Sequence, residues 1–379
     1  MKVGVIGTGT VGVITVCHFL HYLKDVEVHC IHNPKKNILG IGESSNIQLP
    51  QLLWNSVRFN PFFNSEELDI TIKHGVLYRN WRKNDFISPI LPNQYAIHFD
   101  NFKLSEVIFK RCKEQYGDRF KESIMDVTSL KQTKNHAVIN NKIKYDYVID
   151  CRGYPEDYSD YSISNLPLNH CFVHSINKPG DWGYTHHHAH KHGWMFGIPL
   201  QSRQGWGYLF NDQITSEDEA LEDLSKIHKK KLKKENVREF KFKGYRSNKF
   251  LDGRILKNGN RAIFYEPLEA LSGAFYDTIN RTFFDFLSKN CDEQQLNHKL
   301  IDLSKRYENF ISYIYHGGSN FKSKFWENAV AMTTENLKNE LWEETLLLLK
   351  TNQLDERTWP FSPVSWEILD LNLKYGYLR

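Results

Sequence analysis

The segment Lys2-Val3-Gly4-Val5-Ile6-Gly7-Thr8-Gly9-Thr10-Val11-Gly12 carries the strongest structural signal in the chain. An apolar strand runs directly into a G-x-G-x-x-G turn, and apolar residues at helical spacing follow between Val13 and Leu20. Val26–Ile31 predicts a second strand. The glycines let a pyrophosphate approach the backbone, and the N-terminus of the helix favours an anion. This order predicts an α/β fold with a Rossmann-like dinucleotide-binding domain.

The residues after the second strand narrow the choice of dinucleotide. An NAD site normally has a ribose-binding carboxylate at that position, whereas this strand ends at His32. The nearest acids, Asp25 and Glu27, come too early, which favours FAD. Lys144–Asp150 (KYDYVID) and the C-R-G turn of residues 151–153 support FAD, because flavoproteins of the monooxygenase type return to their nucleotide sheet in this way.

Composition excludes several classes of protein. The 379 residues carry 49 Lys and Arg against 45 Asp and Glu, a formal net charge of +4, so a nucleic-acid partner is not indicated. Six widely spaced cysteines without a C-x-x-C pair are typical of a reduced cytoplasmic protein. Glycines, threonines and histidines interrupt the uncharged run of residues 3–23, so we expect neither a signal peptide nor association with a membrane.

Further segments, taken in order, resemble one enzyme family. Gly40-Ile41-Gly42-Glu43-Ser44-Ser45 is a glycine-bearing loop, and Lys73 follows thirty positions after Glu43. Residues 193–199 read GWMFGIP and residues 266–273 read EPLEALSG. The chain resembles the flavin-dependent halogenases of the tryptophan-halogenase type. Their motifs are G-x-G-x-x-G, a G-E-A-T-like flavin strap, a lysine in a K-x-G segment, W-x-W-x-I-P and E-P-L-E-[AS]-T-[SG]. The resemblance covers nearly the whole chain and indicates a short member, with a viral or marine type left open.

The resemblance implies FAD as the cofactor, received as FADH2 from a separate NAD(P)H-dependent flavin reductase that binds transiently. The FAD-binding residues that it implies are Gly7, Thr8, Gly9, Thr10, Val11, Gly12, Gly42, Glu43, Ser44, Ser45 and Gly273. Leu271 replaces the threonine of the last motif, so we expect the backbone N–H groups of Leu271 and Ser272 to bind the halide at a helix N-terminus. The loss of this hydroxyl predicts a preference for bromide or iodide over chloride.

The resemblance assigns the chemistry to Lys73 and Glu269. The lysine holds hypohalous acid, by a hydrogen bond or as a haloamine, and Glu269 orients the oxidant and accepts the proton lost from the aromatic ring. Without the resemblance, Lys73 would be a solvated lysine and Glu269 a capping acid of a helix. Trp194 and Phe196, in the segment of residues 193–199, could equally be a packed core pair. The wall expected between flavin and substrate consists of Trp194, Phe196, Ile198 and Pro199.

Two other clusters receive no catalytic role. His186–His192 (HHHAHKH) places alternate imidazoles on one face of a strand, but no acidic or thiol ligand accompanies them, so no metal is predicted. Lys229–Lys234 predicts a solvated basic face on a helix.

We predict a discontinuous FAD-binding domain, residues 1–155 and 250–290. Residues 156–249 form a β-rich layer on the substrate side, and residues 291–379 a helical substrate-side portion. The predicted activity is the FADH2- and O2-dependent halogenation of an electron-rich, indole- or phenol-like compound in an open pocket, with free tryptophan a doubtful substrate. The alternatives are a hydroxylating flavin monooxygenase and a flavin-binding protein that has lost activity. A homo-oligomer is left open.

Overall fold

The fingerprint of residues 7–12 lies between a buried strand and a helix, as its flanks predict, and the α/β class is confirmed. The computed structural model describes residues 1–35, 40, 42–351, 353 and 363–376. Its helices are α1 (Thr10–Tyr22), α2 (Gln48–Val57), α3 (Asn101–Tyr116), α4 (Glu217–His228), α5 (Leu271–Leu287), α6 (Glu293–Tyr315), α7 (Lys324–Asn336), α8 (Glu340–Lys350) and α9 (Pro363–Leu373). Its first strands are β1 (Lys2–Ile6), β2 (Glu27–His32), β3 (Glu43–Ser44), β4 (Thr71–Lys73), β5 (Gly75–Arg79), β6 (Phe86–Pro89), β7 (Ala96–Phe99), β8 (Phe120–Ile124), β9 (Leu130–Gln132), β10 (Ala137–Ile139), β11 (Ile143–Tyr145) and β12 (Tyr147–Asp150). The later strands are β13 (Tyr161–Ile163), β14 (His170–Ile176), β15 (Thr185–His190), β16 (Gly193–Pro199), β17 (Gln204–Phe210), β18 (Arg238–Lys241), β19 (Tyr245–Ser247), β20 (Leu251–Asp252), β21 (Ile255–Lys257) and β22 (Ile263–Phe264).

Strand β1 lies inside a six-stranded sheet with the order β20-β21-β12-β1-β2-β8. All neighbouring pairs are parallel except β20 with β21. A parallel sheet needs cover on both faces. Val3 and Val5 join the core shared with the helices, whereas Ile6 packs with Ile139 of the small sheet β9-β10-β11. Side chains from both faces of β1 are therefore buried, and the sheet is covered on both sides. The nucleotide turn follows the last residue of β1, so it lies at the carboxyl edge of this sheet.

A second sheet has the order β18-β14-β17-β16-β15-β5-β6. Its central strands are buried on both faces. Trp194 and Phe196 of β16 face the main core, and Met195 between them packs with Leu221 and Leu224 of α4. Period-two alternation thus gives the two aromatic residues a common face toward the interior of the protein.

Smaller elements connect this sheet to the rest of the chain. Strands β3, β7 and β4 form one three-stranded sheet, and β13, β19 and β22 form another. Helix α6 packs against α5, α7 and α8. None of the described helices combines the length and the apolar character that a membrane crossing requires.

The predicted basic helix of residues 229–234 is wrong. Helix α4 ends at His228, and Lys229 follows with a left-handed φ of 49°. Leu232 is buried, and its N–H donates to Ser225 Oγ at 2.9 Å, so the chain turns back onto α4. The domain boundaries stay a prediction, and the helical portion predicted for residues 291–379 includes 352, 354–362 and 377–379, which lie outside the described residues.

Candidate active site

Three glycines shape the turn between β1 and α1. Gly7 has a φ of +106°, and a Cβ there would lie 2.9 Å from the carbonyl oxygen of Cys151. At Gly12 a Cβ would lie 2.1 Å from the carbonyl oxygen of Gly7, whereas no atom of the described residues lies within 4 Å of the Cβ position of Gly9. Gly9 is also the N-cap of α1, and no side chain caps this helix. Free N–H groups beside an open approach to the backbone fit the pyrophosphate of FAD.

The predicted strap reaches this turn through Glu43. Its Oε2 accepts a hydrogen bond from Thr10 Oγ1 at 2.6 Å, and its Oε1 accepts one from Asn101 Nδ2 at 2.7 Å. Burial raises the pKa of Glu43 to about 7 against these two hydrogen bonds. Gly42 has a φ of +95° and packs against Leu200. The structure therefore brings together two segments that the sequence marks separately.

The remaining residues predicted to bind the cofactor lie around the same two segments. Thr8 is half-buried in the turn, and Val11 packs against Gly259. Ser45 Oγ accepts from the N–H of Ile97 at 3.0 Å and donates to the carbonyl oxygen of Asn46 at 2.8 Å. Ile41, also in the loop quoted above, lies outside the described residues.

Lys73, at the end of β4, is only 4% exposed, so it is not a solvated surface lysine. Its Nζ donates to Ser44 Oγ at 2.8 Å and is 3.4 Å from the carbonyl oxygen of Ser45. Burial lowers the pKa of Lys73 to about 8, and the charge of Glu269 opposes this shift. The side chain is therefore an ammonium group that can lose its proton near neutral pH.

Glu269 stands in a strained turn before α5. Glu269 and Ala270 have φ values of 57° and 55°, a left-handed conformation that costs non-glycine residues about 1–2 kcal/mol each. Oε1 of Glu269 accepts a hydrogen bond from the Tyr78 hydroxyl at 2.5 Å. Burial raises the pKa of Glu269 to about 7, against this hydrogen bond and the charge of Lys73. Strain of this kind at a half-buried carboxyl group marks a candidate functional position.

The predicted halide residues form the first turn of α5. The N-cap residue of α5 is Ala270, whose methyl side chain cannot accept a hydrogen bond from the N–H groups of the first turn. Leu271 is buried, and Ser272 Oγ lies 3.2 Å from the Tyr307 hydroxyl. The Cβ position of Gly273 has one neighbouring atom within 4 Å, Asn46 Nδ2 at 3.7 Å, so this turn lies next to the strap.

The predicted wall is anchored by a buried hydrogen-bond network. Trp194 Nε1 donates to the Tyr315 hydroxyl at 2.6 Å, which donates to Glu266 Oε1 at 2.9 Å. Burial raises the pKa of Glu266 to about 8, and its Oε2 has no hydrogen-bond partner among the described residues. The Phe196 ring fills the space above Gly207. The wall continues through the last two predicted residues to the strap, where Ile198 contacts Gly42, and Pro199 offers its carbonyl oxygen to Thr71.

Sequence reasoning missed several polar and aromatic groups of this site. Tyr78 lies in the segment that contains Lys73, and Glu266 begins the E-P-L-E motif, so both could have been singled out. Trp81 packs against Trp194 at 6.2 Å between ring centroids. Nothing in the sequence marks Tyr315, near the end of α6.

Two rings of the histidine cluster, those of His186 and His188, belong to a stack of aromatic rings. His186 stacks on Trp182 at 4.7 Å and on His188 at 4.8 Å. Burial lowers the pKa of His186 to about 4. His187 points the opposite way and meets the Tyr78 ring edge-on at 5.2 Å. These contacts account for the rings by packing, and the prediction of no metal stays a prediction.

A different group of side chains, His170, Glu217 and Glu239, holds three ligand atoms within 4.8 Å of one another. Lys234 Nζ lies 2.6 Å from Glu217 and 3.3 Å from Glu239. The carboxylates therefore already have a cationic partner, and this half-buried cluster is an ion-pair network.

Comparison with known proteins agrees with this geometry. The family model described as tryptophan halogenase matches residues 2–156 and 82–371. Tryptophan 7-halogenase KtzQ of Kutzneria sp. (strain 744) is 25% identical over a match that covers 46% of this chain and 36% of KtzQ. Tryptophan 6-halogenase ThaL of Streptomyces albogriseolus is 24% identical, with 61% of this chain and 48% of ThaL covered. These matches span less than half the length of either relative.

Solved structures share the fold across almost the whole chain. A tryptophan halogenase from Shewanella frigidimarina NCIMB 400 has a TM-score of 0.81 at 15% identity, covering 99% of this chain and 89% of that chain. BrvH, a flavin-dependent halogenase from Brevundimonas sp. BAL3, has a TM-score of 0.80 at 17% identity, covering 98% and 89%. At such identities the similarity establishes the fold alone.

Proposed function

The chain belongs to the tryptophan halogenase family, and on this basis we propose that it is an FADH2- and O2-dependent halogenase of electron-rich aromatic compounds. The observation that carries the proposal is that Lys73 and Glu269 interact electrostatically at one site, where the charge of each shifts the pKa of the other toward its ionised form. Lys73 is held by Ser44 and Glu269 by Tyr78.

FAD would be held by the turn of residues 7–12, the strap of residues 42–45 and Gly273. Bound as FADH2, it would supply chemistry in which FADH2, O2, a halide ion and a proton yield FAD, hypohalous acid and water. The open approach at Gly9 and the uncapped N-terminus of α1 support this assignment. Glu43 supports it indirectly, because its hydrogen bonds to Thr10 and Asn101 hold the strap beside the turn.

Lys73 has the role of holding the oxidising halogen. An ammonium group donates a hydrogen bond to hypohalous acid, and a lysine with a pKa of about 8 can also expose a nucleophilic amine near neutral pH. Two of the three N–H groups of the ammonium donate to Ser44 Oγ and to the carbonyl oxygen of Ser45. The described residues offer no third acceptor, so one N–H is available for the oxidant.

Glu269 has the role of the general base. Replacement of hydrogen on an aromatic ring releases a proton, and a carboxyl group with a pKa of about 7 is suited to receive it at neutral pH. The Tyr78 hydroxyl fixes one carboxyl oxygen and leaves the other for the reacting groups.

Trp194, Phe196, Ile198 and Pro199 form the proposed wall between flavin and substrate. Their anchoring through Tyr315 and Glu266 supports a rigid partition. An electron-rich ring suits the aromatic surroundings, and the named relatives act on tryptophan, so indole- and phenol-like compounds are the proposed substrates.

At the halide site, the buried Leu271 stands at the position of the motif's threonine hydroxyl. We therefore propose that bromide or iodide, which are less strongly hydrated than chloride, are preferred there. Reduced flavin would come from a separate flavin reductase that binds transiently. The six free cysteines support a reduced, cytoplasmic compartment.

The test supplies purified protein with FAD, a flavin reductase, NADH, O2, bromide and a set of indoles and phenols, and identifies products by mass spectrometry. We expect a brominated product that disappears in Lys73→Met. Lys257→Met is the matched control, because Lys257 is a half-buried lysine in β21 of the nucleotide sheet. An oxygenated product would instead establish a hydroxylating monooxygenase. Intact FAD binding without any product would establish the inactive alternative.

A further inference from the structure

The partner of Lys73, Ser44, belongs to a partly buried chain of hydrogen bonds. Ser44 Oγ lies 2.9 Å from Thr185 Oγ1, and Thr185 Oγ1 lies 2.9 Å from His98 Nε2. His98 Nδ1 lies 3.1 Å from Thr71 Oγ1. The chain links β4, β3 and β7 of the small sheet to the first residue of β15 in the large sheet.

The direction of every hydrogen bond in this chain follows from its last member. The only hydroxyl proton of Thr71 goes to the carbonyl oxygen of Pro199 at 2.7 Å, so Thr71 Oγ1 must accept from His98 Nδ1–H. A neutral imidazole that donates from Nδ1 accepts at Nε2. Thr185 therefore donates to His98 and accepts from Ser44, whose hydroxyl oxygen is then free to accept from Lys73.

His98 is neutral in this arrangement. The ring is fully buried, and burial together with the charge of Lys73 and of His186 holds its pKa well below the usual value. The charge of Glu269 raises the pKa of Lys73, and the charge of Lys73 in turn lowers the pKa values of His98 and His187. Since burial of the imidazole disfavours the imidazolium, the proton stays on the lysine and the chain does not carry it away.

We propose that Ser44, Thr185 and His98 are positioning residues of the halogenation site, which fix the Lys73 ammonium group and stabilise its charged form through a one-directional chain of hydrogen bonds. The inference rests on the proposed function for its catalytic meaning, although the chain itself is independent of flavin and halide. Aligned hydrogen bonds polarise one another, so the imidazole at the end makes Ser44 a better acceptor for Lys73.

Ser44 gives this protein a hydroxyl group that the strap motif of the family lacks. The strap motif G-E-A-T has alanine where Ser44 stands, and alanine has no side-chain acceptor. The predicted contact of Ser44 with flavin stays a prediction, and its hydroxyl oxygen is within hydrogen-bond distance of Lys73 and Thr185. Ser44→Ala therefore tests the proposal with a residue that the strap can accommodate.

The experiment measures Lys73 directly. Protein labelled with [13Cε]lysine is titrated by NMR without flavin or halide, and the Lys73 resonance is identified by its absence in Lys73→Met. We expect Ser44→Ala to lower the pKa of Lys73 by about one unit, because the ammonium group loses an acceptor. Thr185→Val, which is nearly isosteric, should lower it by a smaller amount. Thr333→Val, a buried threonine of α7, is the matched control and should cause no shift.

Halogenation kinetics give the second readout. At saturating FAD, Ser44→Ala should lower kcat about tenfold while the KM for the aromatic substrate stays within twofold. An unchanged Lys73 pKa in both Ser44→Ala and Thr185→Val would overturn the proposal. If the pKa shifts as expected but the wild-type protein makes no halogenated product, the proposed function fails and the chain of hydrogen bonds stands.

Discussion

The Tyr78 hydroxyl donates a 2.5 Å hydrogen bond to Glu269, a residue 191 positions further along the chain. Tyr78 stands on β5, five residues after Lys73, and Glu269 lies in the strained turn before α5. The contact explains why the pKa of the half-buried Glu269 rises no further than about 7, since the hydrogen bond from the phenol favours the ionised form and burial opposes it.

The first prediction concerns this hydrogen bond. Tyr78→Phe removes the donor, so the pKa of Glu269 should rise by about one unit. A general base works when ionised, and the acid limb of the pH–rate profile of halogenation should therefore move to higher pH by the same amount. Tyr116→Phe, which removes a hydroxyl that donates to the Ser56 carbonyl oxygen, is the control. A limb that stays in place would show that Glu269 is not the titrating base.

The second prediction concerns folding stability and pH. Glu266 has a pKa of about 8 in the folded protein, above the value of 4.5 for an exposed glutamate. The folded state thus binds its proton more tightly than the unfolded state, so stability falls as pH rises between these two values. Glu266→Gln removes this dependence. The stability of the variant relative to wild type should therefore increase from pH 5 to pH 9.

Urea unfolding at the two pH values measures this difference. A shift of several pKa units corresponds to about 3–5 kcal/mol, of which we expect a substantial part to appear. Glu308→Gln provides a comparison, because burial also raises the pKa of Glu308 but Ser164 and the backbone of Asn165 stabilise its ionised form. Parallel stability curves for wild type and Glu266→Gln would contradict the prediction.

The third prediction separates binding from folding in the nucleotide turn. Gly9→Ala places a methyl group in open space at a φ of −62°, so the fold should tolerate it. The same methyl group would occupy the approach of the pyrophosphate, and FAD affinity should fall at least tenfold. Gly12→Ala places its methyl group 2.1 Å from the carbonyl oxygen of Gly7 and should lower the thermal midpoint markedly. Fluorescence titration with FAD and thermal unfolding distinguish the two effects. Equal FAD affinity in Gly9→Ala and wild type would remove the turn from the proposed cofactor site.

The fourth prediction concerns halide choice. Leu271→Thr restores a hydroxyl at the first turn of α5, where the N-cap lacks a side-chain hydrogen bond. Chloride is smaller and more strongly hydrated than bromide, so it gains more from a hydroxyl donor when it loses its water. The ratio of chlorinated to brominated product should therefore rise several-fold. Competition assays with equal chloride and bromide measure this ratio. A strong preference for chloride in the wild-type protein would contradict the proposed preference for bromide or iodide.

Much of the fold is predictable because its signals are local. The turn of residues 7–12, its flanking strand and helix, and the common face of Trp194 and Phe196 all follow from periodicities of 3.6 and 2.0 residues. The basic run of residues 229–234 misled the helix prediction, because the burial of Leu232 and the left-handed Lys229 end α4 earlier.

The candidate site divides in the same way. The sequence alone determined the α/β class and, through the family motifs, which residues to examine: the glycine turn, Lys73, Glu269 and the strand of Trp194. Taken in isolation, however, Lys73 is indistinguishable from a solvated lysine. Only the tertiary structure decided that it is buried and that Ser44, Thr185 and His98 stand behind it. The same holds for Tyr78 beside Glu269 and Tyr315 beside Glu266. A strand or turn is specified by neighbouring residues, whereas these contacts join distant segments, and their pKa values depend on burial that exists only once the sheets and helices have packed.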